Sequence, residues 1–172
     1  MLTFESIDRG RREELLPPLF RILYNNMNAI APTGAGYEAD FEEWYGNVAP
    51  ALDKPNRSII IIREDGETAG FFQYYINDTT FMMEEIQLAP WARGRGIFEA
   101  LFAYIKTIVP PETRFVEAYA HRLNAKSQGI LKHLGLEQVG EANNCLHFRG
   151  SPARMIKVLA ESEAKASEFT VI

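Results

Sequence analysis

The chain has 172 residues, a length that fits one domain, since domains usually run about 100–200 residues. Hydrophobic residues make up 47% and charged residues 24%, which excludes a disordered, collagenous or low-complexity chain. The net charge of -5 argues against a nucleic-acid partner, which would select a basic face.

Basic residues gather only at Arg9, Arg11 and Arg12 and at the pair Arg93 and Arg95. The acidic balance mildly favours a cationic substrate such as an amine, although ordinary solubility is the better explanation of it. Apolar runs such as Ser58 to Ile62 fall far short of the ~18–20 residues that span a bilayer. No charged-then-apolar leader opens the chain. The single cysteine, Cys145, excludes an internal disulfide and a cysteine-based structural zinc site. His121, His133 and His147 lack the spaced carboxylates of a metal site. The expectation is a cytoplasmic protein with no membrane partner and no metal.

Residues 2–7 alternate apolar and polar side chains and predict a short strand. Leu15, Leu16, Leu19, Leu23 and Met27 share one helical face over residues 11–27. Pro17 and Pro18 lie inside that run and predict a helix start or a bend there. Residues 29–36 are small and turn-prone. Asp40, with Glu43 three residues on, reads as an N-cap in a capping box before a short helix through Trp44 and Tyr45. Residues 58–63, 68–76 and 81–88 read as three strands of an antiparallel meander, joined at Asp65-Gly66 and Asn77-Asp78 and stopped by Pro90.

The pattern then changes. A Gly- and Arg-rich turn over residues 92–96 precedes a helix over 97–108, whose apolar face is Ile97, Leu101, Tyr104, Ile105 and Ile108. Residues 114–121 read as a strand and 124–134 as a helix closed by Gly135. Asn143-Asn144 predicts a hairpin between strands 137–142 and 145–149. Ser151-Pro152 supplies an N-cap and first-turn proline for a last helix to about Lys165, followed by a frayed tail over residues 169–172. No linker or repeat divides the chain, which reads as a single domain over 1–172.

The segment that carries chemistry is strand, glycine-rich turn, helix between Phe81 and Ile108. A helix N-terminus presents unpaired backbone N–H groups and the positive end of a dipole, and glycines let the backbone approach an anion closely. Arg93-Gly-Arg-Gly96 therefore fits a phosphate cradle. No P-loop string is present, and Gly94 and Gly96 lack the third glycine of a dinucleotide fingerprint, where Glu99 stands. A simple strand-to-helix turn explains the same glycines.

Leu88-Ala-Pro-Trp-Ala-Arg-Gly-Arg-Gly-Ile-Phe98 resembles the acetyl-CoA loop of the GNAT superfamily of N-acetyltransferases, written V-x-P-x-x-R-G-x-G-I-G with a core of Q/R-x-x-G-x-G/A. Pro90, Arg93, Gly96 and Ile97 match, Leu88 is a conservative fit, and Phe98 departs where the family prefers Gly or Ala. A Phe at that point either turns away from the pyrophosphate or crowds it. Asn124-Ala-Lys-Ser127 followed by Gly135-Leu136 resembles the family's second element, an Asn that opens a helix and touches the pantetheine arm. An N-cap explains Asn124 as well. The family often places a Tyr acid four residues before that Gly; here the position is Leu131.

The resemblance implies an α/β (α+β) fold: a mixed, mostly antiparallel twisted sheet of about seven strands flanked by helices. It implies residues 1–57 as the acceptor side, 58–149 as the acetyl-CoA-binding core and 150–172 as a helical extension that could serve a homodimer. It implies acetyl-CoA as co-substrate and direct acetyl transfer to a primary amine, on a small molecule or a protein. The cofactor contacts it implies are Leu88, Ala89, Arg93, Gly94, Arg95, Gly96, Ile97, Phe98, Asn124 and Ser127, with Leu88 and Ala89 offering their backbone to pantetheine and to the oxyanion. Tyr24, Tyr37 and Trp44 fall in the variable region that builds the acceptor pocket, although core packing explains aromatics there too.

Amine acetylation needs a base for the ammonium and a donor for the departing thiolate. Alternation puts Glu84 and Glu85 on opposite faces of their strand. Alignment through Leu88 favours Glu84 as base, Glu85 comes second, and a bulge would reverse that choice. His121, at a strand end, is a further base or acid. Tyr119 shares its parity and reads chiefly as core, as does Cys145. Two alternatives stay open: a non-catalytic acyl-CoA-binding or partner-binding module on the same fold, and a donor with a longer acyl chain.

Overall fold

The strand-forming runs order themselves into a seven-stranded sheet with strand order β1-β2-β3-β4-β5-β7-β6. The strands are β1 (Leu2–Ser6), β2 (Arg57–Glu64), β3 (Glu67–Asn77), β4 (Thr80–Leu88), β5 (Phe115–His121), β6 (Glu137–Ala142) and β7 (Cys145–Gly150). The helices are α1 (Arg12–Asn28), α2 (Tyr37–Ala51), α3 (Ile97–Ile108), α4 (Ala125–His133) and α5 (Pro152–Glu168). This is the mixed α/β architecture expected from the sequence. The computed structural model describes residues 1–168, with side chains to residue 161. The tail expected over residues 169–172 lies outside the described residues. Among them, no helix is long and apolar enough to cross a membrane.

The chain divides into two compact units. The first comprises Met1–Tyr75 and Glu84–Arg95, and the second Ile76–Met83 and the residues from Gly96 onward.

In the first unit, β1, β2 and β3 form an antiparallel meander, with Phe4 opposite Ile62 and Ile61 opposite Phe71. The turn at Asp65 and Gly66 uses φ of 52° and 86°, the left-handed pair that a tight hairpin needs. Leu16, Leu19, Phe20 and Leu23 of α1 pack with Val48 and Ala49 of α2 and with Ile59, Ile61 and Phe71 of the sheet. α1 starts before the two prolines and runs through them. An interior proline costs about 3 kcal/mol, and each large apolar side chain buried on this face returns about 1.5–3 kcal/mol. Packing thus overrides the local breaker.

α2 corrects a second expectation. It opens at Tyr37 with Gly36 as its N-cap at φ 93°, so Asp40 lies within the first turn. The Asp40 carboxylate accepts from Thr33 Oγ1 at 2.7 Å and caps nothing. The aromatic face sets the earlier start: Tyr37 packs against Phe20 at 5.3 Å and Tyr24 at 5.0 Å.

In the second unit, the start of β4 pairs parallel with β5, from Thr80 opposite Phe115 to Met83 opposite Ala118. Parallel neighbours need a crossover, and α3 supplies it. β5–β7 and β6–β7 are antiparallel, and Asn143 and Asn144 turn the last hairpin at φ 49° and 61°. α3 buries Ile97, Leu101, Phe102 and Ile105, and α5 buries Met155 and Leu159. The Ser151 hydroxyl accepts the Arg154 N–H at 3.2 Å, as expected for an N-cap, with Pro152 opening α5.

Candidate active site

Two features of the loop after β4 suit an anion. Gly94 and Gly96 sit at φ 71° and 73°, where a side chain is strained; the space beside Gly94 is open, and the one group near a Cβ at Gly96 would be Glu99 Oε2, at 4.0 Å. Gly96 is also the N-cap of α3, and no side chain caps that helix. Its first N–H groups are therefore not claimed by a capping side chain. Ile97 is buried and anchors the first turn. Phe98 stacks on Phe102 with centroids 6.2 Å apart, one helical turn on, so its ring runs along α3 rather than across its end. These residues fit a pyrophosphate.

Both arginines have protein partners. Arg95 pairs with Glu64 at 3.1 Å, and Arg93 donates through Nη2 to Asn26 Oδ1 on α1. The main chain expected to meet pantetheine also has partners: the Ala89 N–H donates to Ala69 O at 2.8 Å, and Leu88 O accepts from Asn26 Nδ2 at 3.0 Å. Gly70 explains the close approach, because a Cβ there would stand 2.1 Å from Gln87 O.

The two glutamates of β4 have different surroundings. Glu84 accepts from Gln73 Nε2 at 3.0 Å and pairs with Arg57 at 2.9 Å, and Arg57 lies over the Tyr75 ring. Gln73 shares a face with Phe71 of the α1/α2 core. Gln87 reaches α1 as well, since Asn26 Nδ2 donates to Gln87 Oε1 at 2.7 Å. Glu84 and Gln87, three residues apart, thus face the same way. Strict alternation forbids that, so β4 is irregular between them. Glu85 lies in this stretch and accepts from Gln87 Nε2 at 2.7 Å. Burial and then the neighbouring Glu84 charge push its pKa up to about 7, against the lowering effect of the Gln87 hydrogen bond.

A cavity of about 320 Å³ lies between α1 and α2, with Tyr24, Met27, Trp44, Asp40 and Glu43 in its wall. Two of the three expected acceptor residues, Tyr24 and Trp44, are in that lining, whereas Tyr37 is not part of it.

In the second unit, Asn124 is the N-cap of α4, its Oδ1 accepting the Ser127 N–H at 3.1 Å. His121 Nδ1 accepts the Leu123 N–H at 3.2 Å, which leaves Nε2 to carry the ring proton. Leu131 is buried. Tyr119, read chiefly as core, is 47% exposed and stacks on His147. Cys145 is half-buried rather than buried.

Several residues escaped the sequence reading. Asn26, Gln87 and Arg57 carry no motif, and only Gln87, two residues from Glu85, had a spacing that could have flagged it. Glu117 is buried and held by His147 Nε2 and by Arg149, each at 2.7 Å. That cluster depends on β7 pairing beside β5, which local spacing does not reveal. Among the described residues, no group of three or more His, Cys, Asp or Glu could hold a metal ion.

The sequence profile of the acetyltransferase (GNAT) family matches residues 17–136, which include β4, the glycine loop and α4. No curated protein matches the sequence. Among solved structures, the PaiA N-acetyltransferase of Thermoplasma acidophilum in complex with coenzyme A superposes with a TM-score of 0.69 at 14% identity, covering 88% of this chain and 99% of that one. An acetyltransferase from Thermus thermophilus gives 0.70 at 13% identity, covering 88% and 97%. The Campylobacter jejuni N-acetyltransferase PseH in complex with acetyl coenzyme A gives 0.57 at 11% identity, covering 88% and 99%. At these identities the likeness is one of fold.

Proposed function

The chain belongs to the acetyltransferase (GNAT) family, and from that premise we propose that it transfers an acetyl group from acetyl-CoA to a primary amine by direct transfer in a ternary complex. The observation that carries the proposal is the loop before α3: Gly94 and Gly96 in left-handed conformations, open space beside Gly94, and a helix start that no side chain caps, with the Glu99 carboxylate 4.0 Å from a Cβ at Gly96 as the one acidic group that has to turn outward. Acetyl-CoA supplies the activated acetyl thioester. The backbone of residues 93–98 would hold its pyrophosphate, with Arg93 and Arg95 close in sequence. Asn124 and Ser127 remain proposed contacts for the pantetheine arm, and Leu88 and Ala89 would act there through what their existing hydrogen bonds leave free.

Glu85 suits the base better than Glu84. A base works best when its pKa lies near the working pH, and Glu85 titrates at about 7. Glu84 is committed to Arg57 and Gln73. Glu85 would take the ammonium proton at a carboxylate oxygen, directly or through one water. In His121 the nitrogen that could take a proton, Nδ1, is occupied by the Leu123 N–H, which makes it a poorer candidate for the base than Glu85. The α1–α2 cavity supports an amine acceptor: its wall holds two carboxylates, Asp40 and Glu43, together with the aromatic residues Tyr24 and Trp44.

Calorimetry with acetyl-CoA on the wild type and on Gly96→Glu tests this reading. Placing a carboxylate against the phosphate and a Cβ at φ 73° should weaken binding roughly 100-fold or more. Equal affinity in the two proteins would remove the loop as the cofactor site. Free-thiol release with a panel of amines then separates the enzyme from a non-catalytic acyl-CoA-binding module, which would bind and never turn over.

A further inference from the structure

A chain of side-chain hydrogen bonds runs through the first unit from the phosphate loop to Glu85. Arg93 Nη2 donates to Asn26 Oδ1, Asn26 Nδ2 donates to Gln87 Oε1 at 2.7 Å, and Gln87 Nε2 donates to Glu85 Oε1 at 2.7 Å. We infer that Asn26 is a positioning residue that fixes the orientation of Gln87, and through it the hydrogen bond on Glu85, while anchoring Arg93 beside the glycine loop. The inference rests on the proposed role of Glu85 as base.

The direction of the chain follows from what each group can do. A guanidinium only donates, so Asn26 must turn its carbonyl to Arg93 and its NH2 toward Gln87. Gln87 must then accept from Asn26, which turns its own NH2 onto Glu85. Each amide has one orientation that satisfies all its neighbours, and Arg93 dictates it together with the Leu88 carbonyl, which also accepts from Asn26 Nδ2 at 3.0 Å. Gln87 is buried at 8% exposure, so it cannot exchange these partners freely for water. Its hydrogen bond favours the ionised form of Glu85 and opposes burial and the Glu84 charge, which both favour the protonated form. The other charges near this chain are Arg57, paired with Glu84, and Arg93 at its far end.

Asn26→Asp is nearly isosteric and makes the sharp test. Aspartate still accepts from Arg93 but cannot donate to Gln87 or to the Leu88 carbonyl. Gln87 must then turn its NH2 to position 26 and present its carbonyl to Glu85, which only a protonated carboxyl can satisfy. The Glu85 side chain is titrated by carbon-13 NMR, a readout that needs neither cofactor nor turnover. The midpoint should rise by about 1 pH unit in Asn26→Asp and by about half a unit in Asn26→Ala. Acetyl-CoA affinity should weaken more in Asn26→Ala, about 3- to 10-fold, where both Arg93 and the Leu88 carbonyl lose their partner, than in Asn26→Asp, where only Leu88 does. In a Gln87→Leu background, Asn26→Asp should lose most of its effect on the midpoint. An unmoved midpoint in both Asn26 variants overturns the inference, and so does an equal shift with Gln87 replaced, which would mark a plain charge effect. A wild type that fails to bind acetyl-CoA sinks the proposed function and leaves the titration still readable.

Discussion

Glu85 on β4 and Glu117 on β5 are the same side chain in two opposite settings. Glu117 is buried with two basic partners, His147 and Arg149, and the Arg149 guanidinium also lies over the Phe115 ring. Glu85 has one neutral donor, Gln87, and a like charge beside it in Glu84. Glu117 is buried and both of its carboxylate oxygens are taken by partners on β7. Glu85 is half-buried beside an amide and a second carboxylate, surroundings that raise its pKa to about 7 and suit the base role proposed for it. Residue type alone does not separate the two roles; the surrounding donors do.

The largest effect that could break this contrast lies in catalysis. Glu85→Gln should lower kcat by about 10²–10⁴-fold at neutral pH, the usual range for a lost general base, with the deficit shrinking as alkaline pH deprotonates the amine itself. A steady-state pH profile checks it, and an unchanged rate would return Glu85 to a structural role. Glu117→Ala should instead cost about 3 kcal/mol of stability by leaving His147 and Arg149 without their shared partner. Urea unfolding measures that loss, while acetyl-CoA affinity should hold within about 2-fold.

A third test reads Glu85 through its linkage to stability. Its carboxyl titrates at 4.5 when unperturbed and at about 7 in the fold, so between those values the native state holds the extra proton. Stability from this group is fully present below pH 4.5 and is lost as pH rises through 7, by up to about 3 kcal/mol. Urea unfolding from pH 4.5 to 8 should show that fall in the wild type and its absence in Glu85→Gln. The smallest effect is at Glu84. Glu84→Gln weakens the pair with Arg57 and should cost about 1 kcal/mol in unfolding experiments, with kcat changed less than about 3-fold. A larger drop in kcat would hand the base role back to Glu84.

Much of the fold was legible because its signals are local. The β-branched run before Asp65-Gly66, the alternating strands and the apolar face of α3 each follow from side chains a few residues apart. The glycine loop was legible for the same reason: its left-handed turns and its helix start lie within residues 93–98. The start of α2 was misplaced at Asp40 because a capping signal competed with an aromatic face, and the packing of Tyr37 on Phe20 and Tyr24 won. The prolines of α1 misled in the same way.

The choice between Glu84 and Glu85 was not legible. Alternation is a local rule, and the contacts of Glu84 and Gln87 show that β4 departs from it. Asn26 was invisible because its partners, Gln87 and Arg93, are more than sixty residues away in sequence. The sequence by itself determined most of the elements and the glycine-rich turn before α3, because backbone dihedrals and amphipathic periodicity are set by neighbouring residues. The mixed sheet was expected only from the resemblance to a known family, since its parallel pair joins residues about 35 positions apart. Only the tertiary structure decided which carboxylate is neutralised by arginine and which is left beside an amide, because proton affinity depends on the groups that folding brings into contact.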